Sequence, residues 1–230
     1  MAGTLFVVAT PIGNLEDITF RAVRILHEVD LIASEDTRHT KILLARYSIN
    51  TPLTSYHKFN VRTKTDQLIN EIQLGKNLAL VSDAGTPGIS DPGEVLIREA
   101  ASRGIKVEAI PGASAVIAAL SVAGLPTDRF VFEGFLPKKP GKKRKALEKL
   151  KTEERTVIIY ESPFRIVKTL QDVLAVMGDR PVAVCREMTK RFEEIIRGRV
   201  GEVIEKLKDQ KIRGEIVLVI SGQEAQRERE

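Results

Sequence analysis

Cysteine is nearly missing from this chain: Cys185 is the only one in 230 residues. That excludes a disulfide framework and fits a reducing cytoplasm. Histidine is almost as scarce. His27, His39 and His57 stand far apart, and with no HxxxH and no CxxC the sequence carries no metal-site signature. Tryptophan is absent and aromatic residues make up 5%. No apolar run has the length needed to cross a bilayer, so no membrane role is expected. The opening MAGTLFVVATPIGN lacks the charged n-region and cleavage site of a secretion signal and reads as a first strand. GxxxxGKS/T and GxGxxG are missing too, which sets aside the P-loop and the usual dinucleotide fingerprint.

What the chain does have is a modest excess of positive charge, +5 formally, unevenly spread. Lys138, Lys139, Lys142, Lys143, Arg144, Lys145, Lys149 and Lys151 crowd one stretch, with Glu148 its only acid before Glu153. A charged helix face meeting water is the plainer account of such a run. Its nearly uniform sign instead points to a clamp on an RNA backbone, where phosphate contacts position the chain without reading sequence. Pro137, Pro140 and Gly141 read as a flexible loop that orders on RNA.

Apolar runs alternate with helical patterns throughout, the signature of an α/β sheet. Strands are expected at Thr4–Thr10, Leu31–Ser34, Leu78–Ser82 and Lys106–Ile110. The nearly continuous apolar runs LFVVAT and LALVS suit strands covered on both faces of a mainly parallel sheet. Helices fit Phe20–Glu28, Thr40–Tyr47, Val61–Leu74, Gly93–Arg103 and Ala113–Val122. A second series has strands at Arg129–Gly134, Thr156–Tyr160, Pro181–Cys185, Glu193–Gly198 and Glu215–Ser221, with helices at Lys142–Lys151, Phe164–Val176 and Gly201–Lys208. Gly124-Leu125-Pro126-Thr127 punctuates the two series. The expected organisation is an N-terminal α/β domain over 1–123, a C-terminal α/β domain over 124–222 and a fraying charged tail over 223–230.

Glycine and proline gather where strands end: Thr10-Pro11-Ile12-Gly13-Asn14, Asp83 through Gly93, and Pro111-Gly112-Ala113-Ser114-Ala115. Ligands of open α/β sheets bind beyond the carboxyl ends of strands. Glycine there lets backbone approach a ligand, and proline stiffens the loop. Any one of these loops is explained as an ordinary turn; three at matching strand ends make a wall for a small ligand.

The segments LFVVATPIGNLEDIT, SEDTRHT, LVSDAGTPGISDPG, IPGASAVIAALSVAGLP, FEGFLPKK, ERTVIIYESPFRI and CREMTKRFEE resemble the tetrapyrrole-methylase superfamily. Within it they resemble the branch that methylates a cytidine ribose in the decoding region of small-subunit (16S) ribosomal RNA. The resemblance implies a two-domain α/β fold with S-adenosylmethionine in the interdomain cleft. It also implies a homodimer and either ribosomal RNA or an assembled small subunit as substrate. It places Pro11, Gly85, Thr86, Pro87, Ile89, Ser114 and Ala115 at the cofactor, with Ser162, Met188 and Ile216 completing the adenosine pocket. Ile89, Ala115, Met188 and Ile216 suit an apolar adenine slot, and Ser114 suits a helix cap that also meets the ligand. Many relatives carry a further segment beyond the second domain, whereas this sequence ends soon after EIVLVIS; if that segment helps relatives hold RNA, this protein is expected to rely more on the basic stretch, a dimer or the ribosomal particle.

Methyl transfer from a sulfonium is an in-line displacement that needs alignment and removal of the hydroxyl proton. Candidate groups at strand ends are Glu35, Asp36, Asp83, Asp91, Glu161, Glu187 and Lys190. Each is equally well explained as a loop-ordering charge or a solvated ion pair. The expectation is that Glu35 or Asp36 orients the nucleotide, with Glu187 or Lys190 near the hydroxyl. Phe135, beside the basic stretch, is the first choice for stacking on a splayed base, ahead of Tyr47, Tyr56, Tyr160, Phe59 and Phe164. A tetrapyrrole methylase shares fold and cofactor, but those relatives open with a GxGPGD-like segment where this chain has ATPIGN. A non-catalytic RNA-binding assembly factor would not need the glycine loops.

Overall fold

The structure is a computed structural model describing residues 2–223. The charged tail expected at 223–230 lies, apart from Gln223, outside the described residues. The chain divides into two units, Met1–Ser114 and Ala115–Glu230.

In the first unit the strands are β1 (Thr4–Val8), β2 (Leu31–Ser34), β3 (Leu53–Ser55), β4 (Leu78–Val81) and β5 (Lys106–Ile110). They form one sheet in the order β3-β2-β4-β1-β5, every neighbouring pair parallel. The helices α1 (Phe20–Glu28), α2 (Thr37–Arg46), α3 (Val61–Gln73) and α4 (Gly93–Ser102) lie between them in sequence. Their apolar stripes are buried on both faces. Ala22, Ile25, Leu26 and Leu44 of α1 and α2 pack with Val8, Ile32 and Val81, while Leu68, Ile69, Ile72, Leu96 and Ala100 of α3 and α4 pack with Leu5, Leu78 and Leu80. Coverage on both sides is why β4 is apolar at every position. β3 is absent from the sequence reading because three residues are too few to show an alternation.

In the second unit α5 (Ala115–Ala123) is followed by β6 (Phe130–Phe135), α6 (Pro140–Leu150), β7 (Thr156–Glu161), α7 (Ile166–Met177), β8 (Pro181–Arg186), β9 (Glu194–Arg199), α8 (Val200–Leu207) and β10 (Ile216–Ile220). This sheet runs β6-β7-β10-β8-β9 and is mixed: β6 and β7 are parallel, and the other neighbours antiparallel. Leu147, Leu150, Ile166, Leu170, Val173, Val203 and Leu207 of α6, α7 and α8 pack on one face against Val157, Ile159, Leu218 and Ile220. α5 covers the other face at β8 and β10. That packing moves the division between units to Ser114/Ala115 instead of Ala123/Gly124. The helix buries Val116, Ala119 and Leu120, Ala119 O receives the Cys185 thiol at 3.9 Å, and Arg197 of β9 donates to the terminal carbonyls of Ala123 and Val122. Cys185 is buried, and burial pushes its thiol up to about 11, so it stays an inert thiol.

Two expectations for the basic stretch are corrected. Pro140 and Gly141 are not a flexible loop; they form the first turn of α6, where proline costs no hydrogen bond and its fixed φ suits the helix. Lys143 is not a surface cation but is 7% exposed. Its ammonium pairs with Asp172 at 2.5 Å and donates to Thr169 Oγ1 at 3.3 Å. Thr169 Oγ1 in turn donates to Glu161 Oε2 at 2.7 Å, and the other Glu161 oxygen pairs with Arg165 at 2.5 Å and accepts Ser162 N–H at 2.6 Å. Glu161, 2% exposed, is thus the anchor of a buried polar network and not a candidate base. Removing its carboxylate leaves the Thr169 hydroxyl, the Arg165 guanidinium and the Ser162 N–H short of a partner. Glu161→Ala is expected to lower unfolding free energy by about 3 kcal/mol in urea titrations, and a loss near zero would show that the network contributes little.

Candidate active site at the carboxyl edge of the first sheet

In the order β3-β2-β4-β1-β5, the chain leaving β1 runs to β2 on one side and the chain leaving β4 runs to β5 on the other. The first passes over β4 and the second over β1, and they leave on opposite faces of the sheet, α1 on one and α4 on the other; such a switch opens a crevice at the carboxyl ends of the strands. The loops that border it are tied together. Thr10 and Gly85 form an isolated bridge, Thr10 N to Gly85 O at 2.9 Å and Gly85 N to Thr10 O at 3.0 Å. Thr10 Oγ1 donates to Ser82 O at 3.2 Å, and Ser82 Oγ to Ala84 O at 3.2 Å. The loop after β5 joins through Thr86 Oγ1 to Ala113 O at 3.4 Å and Ala9 N to Ile110 O at 3.1 Å.

Two glycines make this closeness feasible. Gly85 has φ +80°, and a Cβ there would lie 3.4 Å from Ile12 Cγ2; a Cβ on Gly112 would lie 3.1 Å from Ala9 Cβ. The long loop after β4 is held from within by Asp91, whose Oδ1 accepts Gly88 N–H at 2.8 Å and Gly93 N–H at 2.7 Å. Pro11, Gly85 and Pro87 are buried in the loop framework, Thr86 is exposed, and Ile89 is 50% exposed. Ser114 directly precedes α5. The structure therefore brings Pro11, Gly85, Thr86, Pro87 and Ile89 together on one edge. A backbone-lined, proline-stiffened crevice with a free apolar side chain fits a nucleoside-bearing cofactor such as S-adenosylmethionine.

Four groups stand beside that crevice at the ends of β2 and β4. Asp83 Oδ1 accepts Asp36 N–H at 2.8 Å. Asp36 caps α2, its Oδ1 accepting Arg38 N–H at 2.9 Å while Oδ2 takes the guanidinium at 2.7 Å. These bonds hold its carboxyl far below the usual carboxylate range, so it is a poor proton acceptor. Glu35 differs: partial burial, then repulsion from Asp83 and Asp91, raises its pKa against the pull of Lys58 and His57. Asp91 is raised as well, by burial first, with Asp83 adding to it and the two N–H bonds opposing.

The second-unit candidates are placed in their own surroundings. Glu187 has φ +52°. Its Oε1 accepts Glu215 N–H and the Lys190 ammonium, both at 2.9 Å, and Lys190 also pairs with Glu215 at 2.9 Å. Burial pushes Glu187 up, but these partners outweigh it and its pKa falls; burial pushes Lys190 down, but Glu187 and Glu215 outweigh it and its pKa rises. Ser162 holds the turn after β7, accepting Arg165 and Ile166 N–H through its carbonyl at 2.9 and 3.1 Å. Met188 is 9% exposed. Ile216 is 2% exposed and its side chain packs in the core under α6, α7 and α8. Lys138, Lys139, Lys142, Arg144 and Lys145 are exposed as anticipated. Lys143 was separable from them in the sequence, since 143, 147 and 150 lie on one helical stripe. Phe135 is 59% exposed and leans on Tyr160 at 5.5 Å, whereas Tyr56 is buried and hydrogen-bonded to Thr65 at 2.8 Å. Among the described residues no group of three or more His, Cys, Asp or Glu is arranged to hold a metal, and no helix is long and apolar enough to cross a membrane.

A glycine-lined crevice at the switch point of a parallel sheet, followed by a mixed five-stranded sheet, is the architecture of a known class of methylases. The structure resembles uroporphyrin-III C-methyl transferase from Thermus thermophilus complexed with S-adenyl homocysteine, with TM-score 0.68 and 18% identity over 95% of this chain and 97% of that one. It also resembles diphthine synthase, with TM-score 0.71 and 16% identity over 95% and 90%. The chain belongs to the tetrapyrrole (corrin/porphyrin) methylase family, whose model matches residues 4–204, and within it to the group of proteins called ribosomal RNA small subunit methyltransferase I. Of these, the Halalkalibacterium halodurans protein is 50% identical over 96% of this chain and 76% of its own. The Thermotoga maritima protein is 48% identical over 96% and 100%, and that of Escherichia coli O157:H7 is 49% identical over 98% and 80%.

The Asp91 environment has a measurable consequence. A carboxyl with a raised pKa binds its proton more tightly in the folded state. The stability it contributes is complete below its ordinary value and is lost as pH rises through the raised one. Asp91→Asn keeps an oxygen for Gly88 and Gly93 but cannot ionise. Thermal unfolding from acid to neutral pH is expected to show this variant gaining stability relative to the native chain as pH rises. A constant difference would contradict that environment.

Proposed function

We propose that this protein methylates the 2′-hydroxyl of a cytidine in the decoding region of small-subunit ribosomal RNA, with S-adenosylmethionine as donor and as a homodimer. The observation that carries the reading is identity of about half, over nearly the whole chain, to relatives named for small-subunit ribosomal RNA methylation. Pro11, Gly85, Thr86, Pro87, Ile89, Ser114 and Ala115 are the residues assigned to holding the donor, which supplies an electrophilic methyl group on a sulfonium. The ribose oxygen bonds to that methyl carbon as the carbon–sulfur bond breaks, and the hydroxyl proton must go to a base.

Glu35 is the assigned acceptor. Its raised pKa makes it a better base than an ordinary surface carboxylate, while Asp36 is committed to Arg38 and Glu187 is held in its charged form by Lys190 and Glu215. Lys190, with a raised pKa, stays a cation and acts electrostatically on the RNA.

Transfer of labelled methyl to small subunits isolated from cells lacking the protein tests this directly, with naked RNA in parallel and nuclease mapping. Label on one 2′-O-methylated cytidine is expected; label on a base, or none despite donor binding, would overturn the reading. The exposed face of α6 makes a separate prediction. Replacing Lys142, Arg144 and Lys145 with glutamine should flatten the dependence of log affinity on log salt by roughly 2 if each meets a phosphate. Lys143→Met should instead lower thermal stability with little change in that slope.

A further inference from the structure

The first unit carries a basic and aromatic segment of its own, distinct in sequence from α6. Residues 57–65, HKFNVRTKT, contain Lys58, Arg62 and Lys64 and no acid. They follow β3, whose carboxyl end lies on the same edge of the parallel sheet as the loops after β1, β2 and β4. Tyr56 N–H bonds to Ser34 O at 2.7 Å and so ties the start of the turn to the end of β2.

The turn is rigid by construction. Asn60 accepts His57 N–H on its side-chain oxygen at 2.9 Å and donates its amide to Ser55 O at 3.1 Å; Asn60 N and Val61 N both donate to His57 O, at 2.9 and 3.1 Å. This bonding holds Phe59 outward, 85% exposed. The Lys58 ammonium sits 4.9 Å from its ring centroid and the His57 ring meets it edge-on at 6.0 Å. Arg62, in the first turn of α3, is exposed, and that turn carries no acid. Among the described residues, His57 Nδ1 is enclosed without a hydrogen-bond partner.

A phenyl ring held in water by a stiff turn and flanked by cations lacks a partner on its open face. A base of single-stranded nucleic acid fits it, because stacking needs only a π-face and the neighbouring phosphates match Lys58 and Arg62. The absence of acids makes the segment complementary to a polyanion. We propose that the His57–Arg62 turn is a nucleobase platform: Phe59 stacks on a base of the RNA strand next to the reacting nucleotide, and Lys58 and Arg62 take the adjoining phosphates. The platform rests on RNA being the substrate. It places part of the recognition on the crevice edge itself, beside Glu35, whose carboxyl already feels Lys58 and His57.

Phe59 is 85% exposed, so its replacement is expected to leave the fold intact, and an unchanged thermal unfolding midpoint checks this. With small subunits from cells lacking the protein as substrate, Phe59→Ala is expected to raise KM for the particle about tenfold. Its kcat and its affinity for S-adenosylmethionine should stay within about twofold of native. Phe59→Trp should restore the native KM and Phe59→Leu should not. A native KM for Phe59→Ala overturns the platform, and so does full restoration by leucine, which would mark a plain apolar contact with a ribosomal protein. If the native protein labels neither particle nor RNA, the RNA reading falls and the platform with it; native labelling with an unaffected Phe59→Ala sinks the platform alone.

Discussion

The bridge between Thr10 and Gly85 is the constraint on which the candidate site depends. β1 and β4 are neighbours whose onward connections cross to opposite faces of the sheet, so nothing else would hold the two loops together at the edge where they leave it. Two backbone hydrogen bonds join those loops just beyond the sheet, and the Thr10 and Ser82 hydroxyls saturate carbonyls that the crossing would strand. Everything proposed to meet the cofactor hangs from that junction. The positive φ of Gly85 is needed for it, Ile12 packs against it, and Thr86 carries the tie onward to Ala113.

The second unit depends on a different device. Its polar network threads from α6 through α7 to the end of β7, where Lys143, Asp172, Thr169, Glu161 and Arg165 balance opposite charges inside a largely apolar core. Buried charge is costly unless paired and hydrogen-bonded, and here each carboxylate has at least two partners. The network has a functional consequence: the helix that presents Lys142, Arg144 and Lys145 is fastened in one orientation, and the turn beginning at Ser162 is fastened with it. A cation-rich helix must be held against a core if its charge is to be offered in a fixed direction.

The proposed chemistry follows from how differently five carboxylates are treated. Asp36 and Glu187 are spent on partners that keep them ionised. Glu161 is sealed in the core. Glu35 and Asp91 sit in the crowded acidic edge where burial and repulsion raise their pKa, and Asp91 is occupied by the loop it organises. Glu35 is left as the carboxylate with proton affinity to spare.

Sequence periodicity by itself determined most of the architecture. Strands buried on both faces read as apolar runs, amphipathic helices repeat every three to four residues, and glycine and proline mark the loops between them, so the α/β alternation, the two series and the three clustered loops were legible without coordinates. The motifs from Leu5 to Arg199 likewise carried the family. The tertiary structure alone decided what depends on partners distant in sequence: that β3 is a strand, which rests on pairing with β2; that α5 belongs with the second sheet, because its apolar surface and terminal carbonyls are taken up by β8, β9 and β10; and that Ile216 faces a core. It also decided that Lys143 and Glu161 turn inward while Lys142 and Glu35 remain free. Identical side chains look alike in a sequence, and only the neighbours they acquire on folding set their burial, their pairing and their proton affinity.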